Sequence, residues 1–145
     1  MAQVAEAAAQ WTDGERFLAS GSSGHAVVMD ADRGRNSAPG PMEMVLMALC
    51  ACTGTDVLDI LRKKRQPAAG LTVRVRAERA AEPPMVYTRI VLEYEITGAV
   101  EAKAAEDAIR LSREKYCSVM AMLSSTAAIT TELRLAGAAA GGAGR

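Results

Sequence analysis

Three cysteines are the residues of this 145-residue chain best suited to covalent chemistry. Cys50 and Cys52 stand in "MALCACTGTD", and Cys117 stands far downstream in "LSREKYCSVMAML". A thiolate attacks peroxides and disulfides, and two thiols within reach of each other cycle between dithiol and disulfide. Cys50 and Cys52 are two positions apart in helix-like sequence. Their side chains point to nearly opposite sides and cannot bond each other while the helix persists. Any internal pair therefore joins Cys117 to one of them. The alternative is that the cysteines are small apolar core residues, since free cysteine is among the most buried residue types.

Other chemistries find less support. One histidine, His25, with a C-x-C pair and a distant cysteine does not match a closed zinc site, so no metal and no cofactor is expected. "GHAVVMD" would set His25 near Asp30 if the strand turned back. No nucleophile-elbow motif accompanies it, and "GSSG" lacks the lysine of a phosphate loop. Lys+Arg and Asp+Glu are equal at 17 each and aromatics are 3%, which argues against a nucleic-acid partner. "RKKR", residues 62–65, reads as a solvated helix end. The N-terminus has no basic segment followed by an apolar run, and the apolar run Met44 to Cys52 is too short to cross a bilayer. These features place the chain in the cytoplasm, where thiols are reduced.

The elements that must carry the cysteines follow from periodicity. Short strands separated by "TDG" and "SGSSG" open the chain, although the Ala-rich start equally suits helix. From Pro41, "PMEMVLMALCACTGTDVLDILRKKR" reads as a long helix, apolar on nearly every side between Met42 and Cys52, with Gly54 a point of weakness or kinking. "LTVRVRAER" and "VYTRIVLEYEITG" alternate as a hairpin, with Leu71, Val73, Val75 and Ala77 on one inner face and Ile90, Leu92, Tyr94 and Ile96 on the other. "VEAKAAEDAIRLSREKYCSVMAMLSS" reads as a second long helix, with Ala105, Ile109, Ser112, Tyr116, Val119 and Leu123 along one face. "AITTELRLA" is a last strand. This order indicates an α+β fold, one domain over residues 1–136 and a disordered Gly/Ala-rich tail over 137–145. Two such apolar helices need more cover than one subunit gives, so an intertwined homodimer is expected. The methionines on both helices, Met47 among them, are plastic core packing or an adaptable pocket around a thiol.

"PMEMVLMALCACTGTDVLDILRKKRQ" followed by "KYCSVMAML" resembles the OsmC/Ohr family of osmotically induced and organic hydroperoxide resistance proteins, in its YhfA-like branch. The resemblance runs from about "SGHAVVMD" to "ITTELRL". It implies two long central helices packed against antiparallel sheets in an intertwined homodimer. It also implies a thiol peroxidase cycle with Cys52 peroxidatic and Cys117 resolving, an organic hydroperoxide substrate and an external dithiol reductant. Cys117 is then expected to face Cys52 from the edge of the helical stripe, one step past Tyr116. The family's activating glutamate directly follows the motif proline. Here Met42 holds that place and the acid comes one position later, at Glu43. Arg33, Arg35 and Arg79 are the candidates for its arginine, with Arg35 taken first, and Met47 and Tyr116 are expected to wall the substrate site. The rival expectation is a non-enzymatic dimeric protein of the same fold that binds an apolar small molecule or senses redox state.

Overall fold

The computed structural model describes residues 1–137, arranged as two compact units that divide after Met47. In the first unit the Ala-rich start is strand rather than helix. β1 (Ala7–Asp13), β2 (Arg16–Gly21) and β3 (Ala26–Asp30) form an antiparallel meander. Gly14 and Gly24 hold positive φ in its two turns, where a side chain would be strained. Of these three strands only Asp30 is buried, while Trp11, Phe17, Leu18, Val27 and Val28 are exposed. His25 is exposed at the second turn, and Asp30 pairs with Ser37 and Arg35 rather than with it.

α1 (Pro41–Lys63) starts at the proline and ends in Arg62 and Lys63, as its charges require. By length and composition it could cross a membrane, because its apolar character continues past Cys52. Within this chain, however, Leu49, Thr53, Gly54, Val57 and Leu61 are buried. The expected all-round burial of Met42 to Cys52 is therefore not met in a single copy, where Leu49 alone of that stretch is buried. α1 runs unbroken through Gly54. A Cβ there would lie 3.4 Å from Val73 Cγ2 and 3.8 Å from Leu71 Cδ2, an ordinary contact with the sheet.

In the second unit β4 (Ala68–Arg79) and β5 (Tyr87–Gly98) pair antiparallel, and β6 (Ala128–Gly137) pairs parallel to β5. The sheet order β4-β5-β6 makes β5 central. Its Ile90, Leu92, Tyr94 and Ile96 are fully buried, as the alternation predicts. The outer face carries Arg74, bonded to Glu93 and Glu95. The parallel strand departs from the expected all-antiparallel arrangement. β6 also extends to Gly137, and the rest of the expected tail lies outside the described residues.

The second helix is not continuous. α2 (Ala102–Leu111) buries Ala104, Ala105, Ala108 and Ile109, then widens into a π-helical turn over Ser112–Tyr116. Cys117 is extended, at φ −76° and ψ 104°, and α3 (Ser118–Leu123) begins after it. The break resets the helical phase. Tyr116, expected on the buried stripe, is 50% exposed, whereas Cys117, expected at its edge, is 3% exposed.

Candidate functional site

Cys52 lies on α1 and is half-buried; Cys117 lies in the break after the π turn and is buried. Two hydrogen bonds hold Cys117. Its backbone N–H donates to Ser112 O at 2.8 Å, closing the wide turn. Its Sγ accepts the Met120 N–H at 3.4 Å and so caps α3. The Cys52 thiol is close enough to act on the ionisation of Cys117. Burial pushes the Cys117 thiol up to about 11; the Met120 N–H works against this, while Cys52 and Asp56 add to it. Cys50 is half-buried, and burial raises its thiol too.

Beside the thiols runs a buried polar chain that sequence reasoning did not find. The Tyr94 hydroxyl lies 2.7 Å from Thr53 Oγ1, which lies 2.7 Å from Ser112 Oγ. Ser112 Oγ donates to Asp56 Oδ2 at 2.9 Å. Each hydroxyl has one hydrogen. Ser112 spends its own on the carboxylate, so Thr53 must donate to Ser112, and Tyr94 to Thr53. The chain therefore runs one way, Tyr94 to Thr53 to Ser112 to Asp56, and ends on a carboxylate. Tyr94, Thr53 and Ser112 are fully buried. Burial pushes the Tyr94 phenol up to about 12, and Cys117, Cys50 and Asp56 face it electrostatically. The available signal was polar residues on otherwise apolar faces: Ser112 after Ala105 and Ile109, and Thr53 one position after Cys52. Asp56 also lines an open groove of about 340 Å³ with Asp59, Ile60, Lys63, Lys64, Leu111 and Tyr116.

The other sequence candidates have different partners. Arg35 grips the Asp13 carboxylate with two nitrogens, at 3.2 and 3.3 Å, and its Nε lies 3.9 Å from Asp30 Oδ2. Asp30 in turn accepts from the Asp32 N–H, the Ser37 N–H and the Ser37 hydroxyl. Glu43 Oε1 accepts the Gly40 N–H at 3.2 Å, the reciprocal half of a helix capping box. Met47 is 48% exposed. The Tyr116 ring carries Lys115 Nζ 5.2 Å from its centroid. The structure thus brings Cys52 and Cys117 together, while Arg35 and Glu43 are engaged with Asp13, Asp30 and Gly40.

A family model described as OsmC-like protein matches residues 34–132. The chain is 42% identical to Protein YhfA of Escherichia coli strain K12 over 126 residues, covering 86% of this chain and 93% of that protein. The crystal structure of a hypothetical protein from Aquifex aeolicus VF5 aligns with a TM-score of 0.86 at 31% identity, covering 94% of this chain and 98% of that one. An organic hydroperoxide resistance protein from Elizabethkingia anophelis aligns with a TM-score of 0.70 at 13% identity, covering 94% of this chain and 99% of that one. Likeness at that identity bears on the fold alone.

Proposed function

The chain belongs to the OsmC-like protein family, and we propose that it works there as a thiol-dependent organic hydroperoxide reductase of the cytoplasm. The observation that carries this reading is that the buried Cys117, at the break before α3, neighbours the half-buried Cys52 of α1 closely enough for Cys52 to act on its ionisation. Cys52 thiolate attacks the distal oxygen of ROOH. The S–O bond forms as the O–O bond breaks, sulfur gives up two electrons, and the alkoxide leaves as the alcohol once protonated. Cys117 then attacks the sulfenic sulfur. The S–S bond forms, the S–O bond breaks, and water carries off the thiol proton. An external dithiol restores both thiols by exchange. The name of the Elizabethkingia neighbour suggests the substrate class.

In this reading Met47 and Tyr116 supply apolar wall to the peroxide. Arg35 and Glu43 are the charged pair of the cycle, and each must first exchange a present partner, Asp13 or Gly40. A second copy of the chain covers the first sheet, whose Trp11, Phe17, Leu18, Val27 and Val28 are exposed in one copy. The same engaged state of Arg35 and Glu43 favours a second reading, a non-enzymatic dimer that binds an apolar small molecule or senses redox state.

The experiment is consumption of cumene hydroperoxide by the reduced protein with dithiothreitol. Turnover by wild type and its loss in Cys52→Ser support the reductase. Equal rates in the two, with no sulfenate and no Cys52–Cys117 disulfide by mass spectrometry, support the binding protein instead.

A further inference from the structure

We propose that Thr53, Ser112 and Asp56 are positioning residues that hold the Cys117 turn in register with Cys52 so that their disulfide can close. The proposal rests on the reading of these cysteines as a redox pair. Thr53 directly follows Cys52 in the chain. Ser112 acts with both of its oxygens. Its carbonyl takes the Cys117 N–H across the π turn, and its hydroxyl is fixed between Thr53 and Asp56. Each thiol is thus one covalent or hydrogen-bonded step from the same buried chain.

Burial alone does not require these hydroxyls. Valine at 53 and alanine at 112 would fill nearly the same space without hydroxyl groups to desolvate. What the chain adds is a fixed phase. A π turn holds one more residue than the α turn it replaces, and such turns are rare and recur at functional sites. If Ser112 were released and residues 112–117 closed as ordinary α-helix, Cys117 would rotate by about 100° about the axis. It would then turn away from Cys52. Thr53 and Ser112 are fully buried, so water cannot take over a lost bond.

The test separates the two thiol steps. Reduced protein is mixed with cumene hydroperoxide and quenched over time. Cys52 sulfenate is trapped with dimedone in a Cys117→Ser background, and the Cys52–Cys117 disulfide is followed by mass spectrometry. Thr53→Val and Ser112→Ala should form sulfenate at the wild-type rate but close the disulfide about 10- to 100-fold more slowly, the usual cost of a misplaced reacting group. Sulfenate should then accumulate and pass on to sulfinate. Thr53→Ser, which keeps the hydroxyl, should restore closure. Should an apolar variant fail to fold, Asp56→Ala at the half-exposed end of the chain supplies the same readout. Disulfide closure at the wild-type rate in folded variants, or equal slowing of both steps, overturns the positioning role alone. A wild type that forms neither sulfenate nor disulfide overturns the redox-pair reading beneath it, and the positioning role with it.

Discussion

The donor direction of the buried chain has an energetic consequence that owes nothing to catalysis. With Tyr94 donating to Thr53, Thr53 to Ser112 and Ser112 to Asp56, the three substitutions are unequal. Tyr94→Phe removes only the first donor. Thr53 and Ser112 keep acceptors for their hydrogens, so the cost is one neutral hydrogen bond, about 1 kcal/mol. Thr53→Val strands the Tyr94 hydrogen in a site without water, at about 2 kcal/mol. Ser112→Ala strands one hydrogen in the Thr53–Tyr94 pair and also takes a donor from the Asp56 carboxylate. Its cost is about 3 kcal/mol. At about 3 °C per kcal/mol for a chain of this size, the melting temperatures should fall by about 3, 6 and 9 °C respectively. The assay is thermal and urea denaturation of the reduced proteins at one protomer concentration, since association would shift both. If Tyr94→Phe costs as much as Ser112→Ala, Thr53 donates to Tyr94 and the one-way chain is wrong.

The remaining predictions concern pH and backbone. Cys117 is raised to about 11 from 9.0, so its contribution to stability is full below pH 9 and is lost as pH rises towards 11. In that window the unfolded chain binds fewer protons than the folded one, and stability should fall by at most about 1.4 kcal/mol per pH unit. Alkaline unfolding of Cys117→Ala should be flatter there; parallel curves for the two proteins would contradict the assignment. At Gly54 an added Cβ meets Val73 Cγ2 at 3.4 Å, an ordinary contact, and alanine gains about 1 kcal/mol of helix propensity. Gly98 has φ 110°, and an added Cβ would lie 2.5 Å from Pro67 O. Chemical denaturation should therefore find Gly54→Ala neutral to stabilising and Gly98→Ala destabilised by more than about 2 kcal/mol.

How much of this was legible depends on distance along the chain. The β4–β5 hairpin declares itself, because Leu71, Val73, Val75 and then Leu92, Tyr94, Ile96 alternate with polar neighbours, with Val91 the one apolar interruption beside Ile90. α1 begins at Pro41 and ends in basic residues, both local signals. The parallel direction of β6 was recoverable too. More than a dozen residues of helix separate β5 from β6, which is what a parallel crossover needs. The bond made by Glu43 was also within reach, since an acid at the third helical position, counted from Pro41, can reach back to the N–H of the residue before the helix. The break at Cys117 was not legible, because neither glycine nor proline marks it and the residues around it continue the helical pattern. Nor was the polar chain. Thr53, Tyr94 and Ser112 become partners only when helix and strand pack, across 41 and 59 positions of sequence.

That illegible break is also what makes the proposed cycle chemically coherent. A thiol that burial pushes up to about 11 is almost wholly protonated at pH 7, which would make Cys117 a poor first attacker of peroxide. A resolving thiol has different needs. It must leave the peroxide to Cys52, and it must bring the proton with which the sulfenic hydroxyl departs as water. Burial at the head of α3 meets both needs, because it keeps Cys117 protonated in the resting state. The low ionised fraction is offset by placement. Well-oriented intramolecular partners react about 10⁵-fold or more faster than the same partners at a concentration of about 1 M. Placement therefore decides the rate of the second step. On the positioning proposed above, that placement comes from one π turn and the hydroxyl of Ser112, which bonds Thr53.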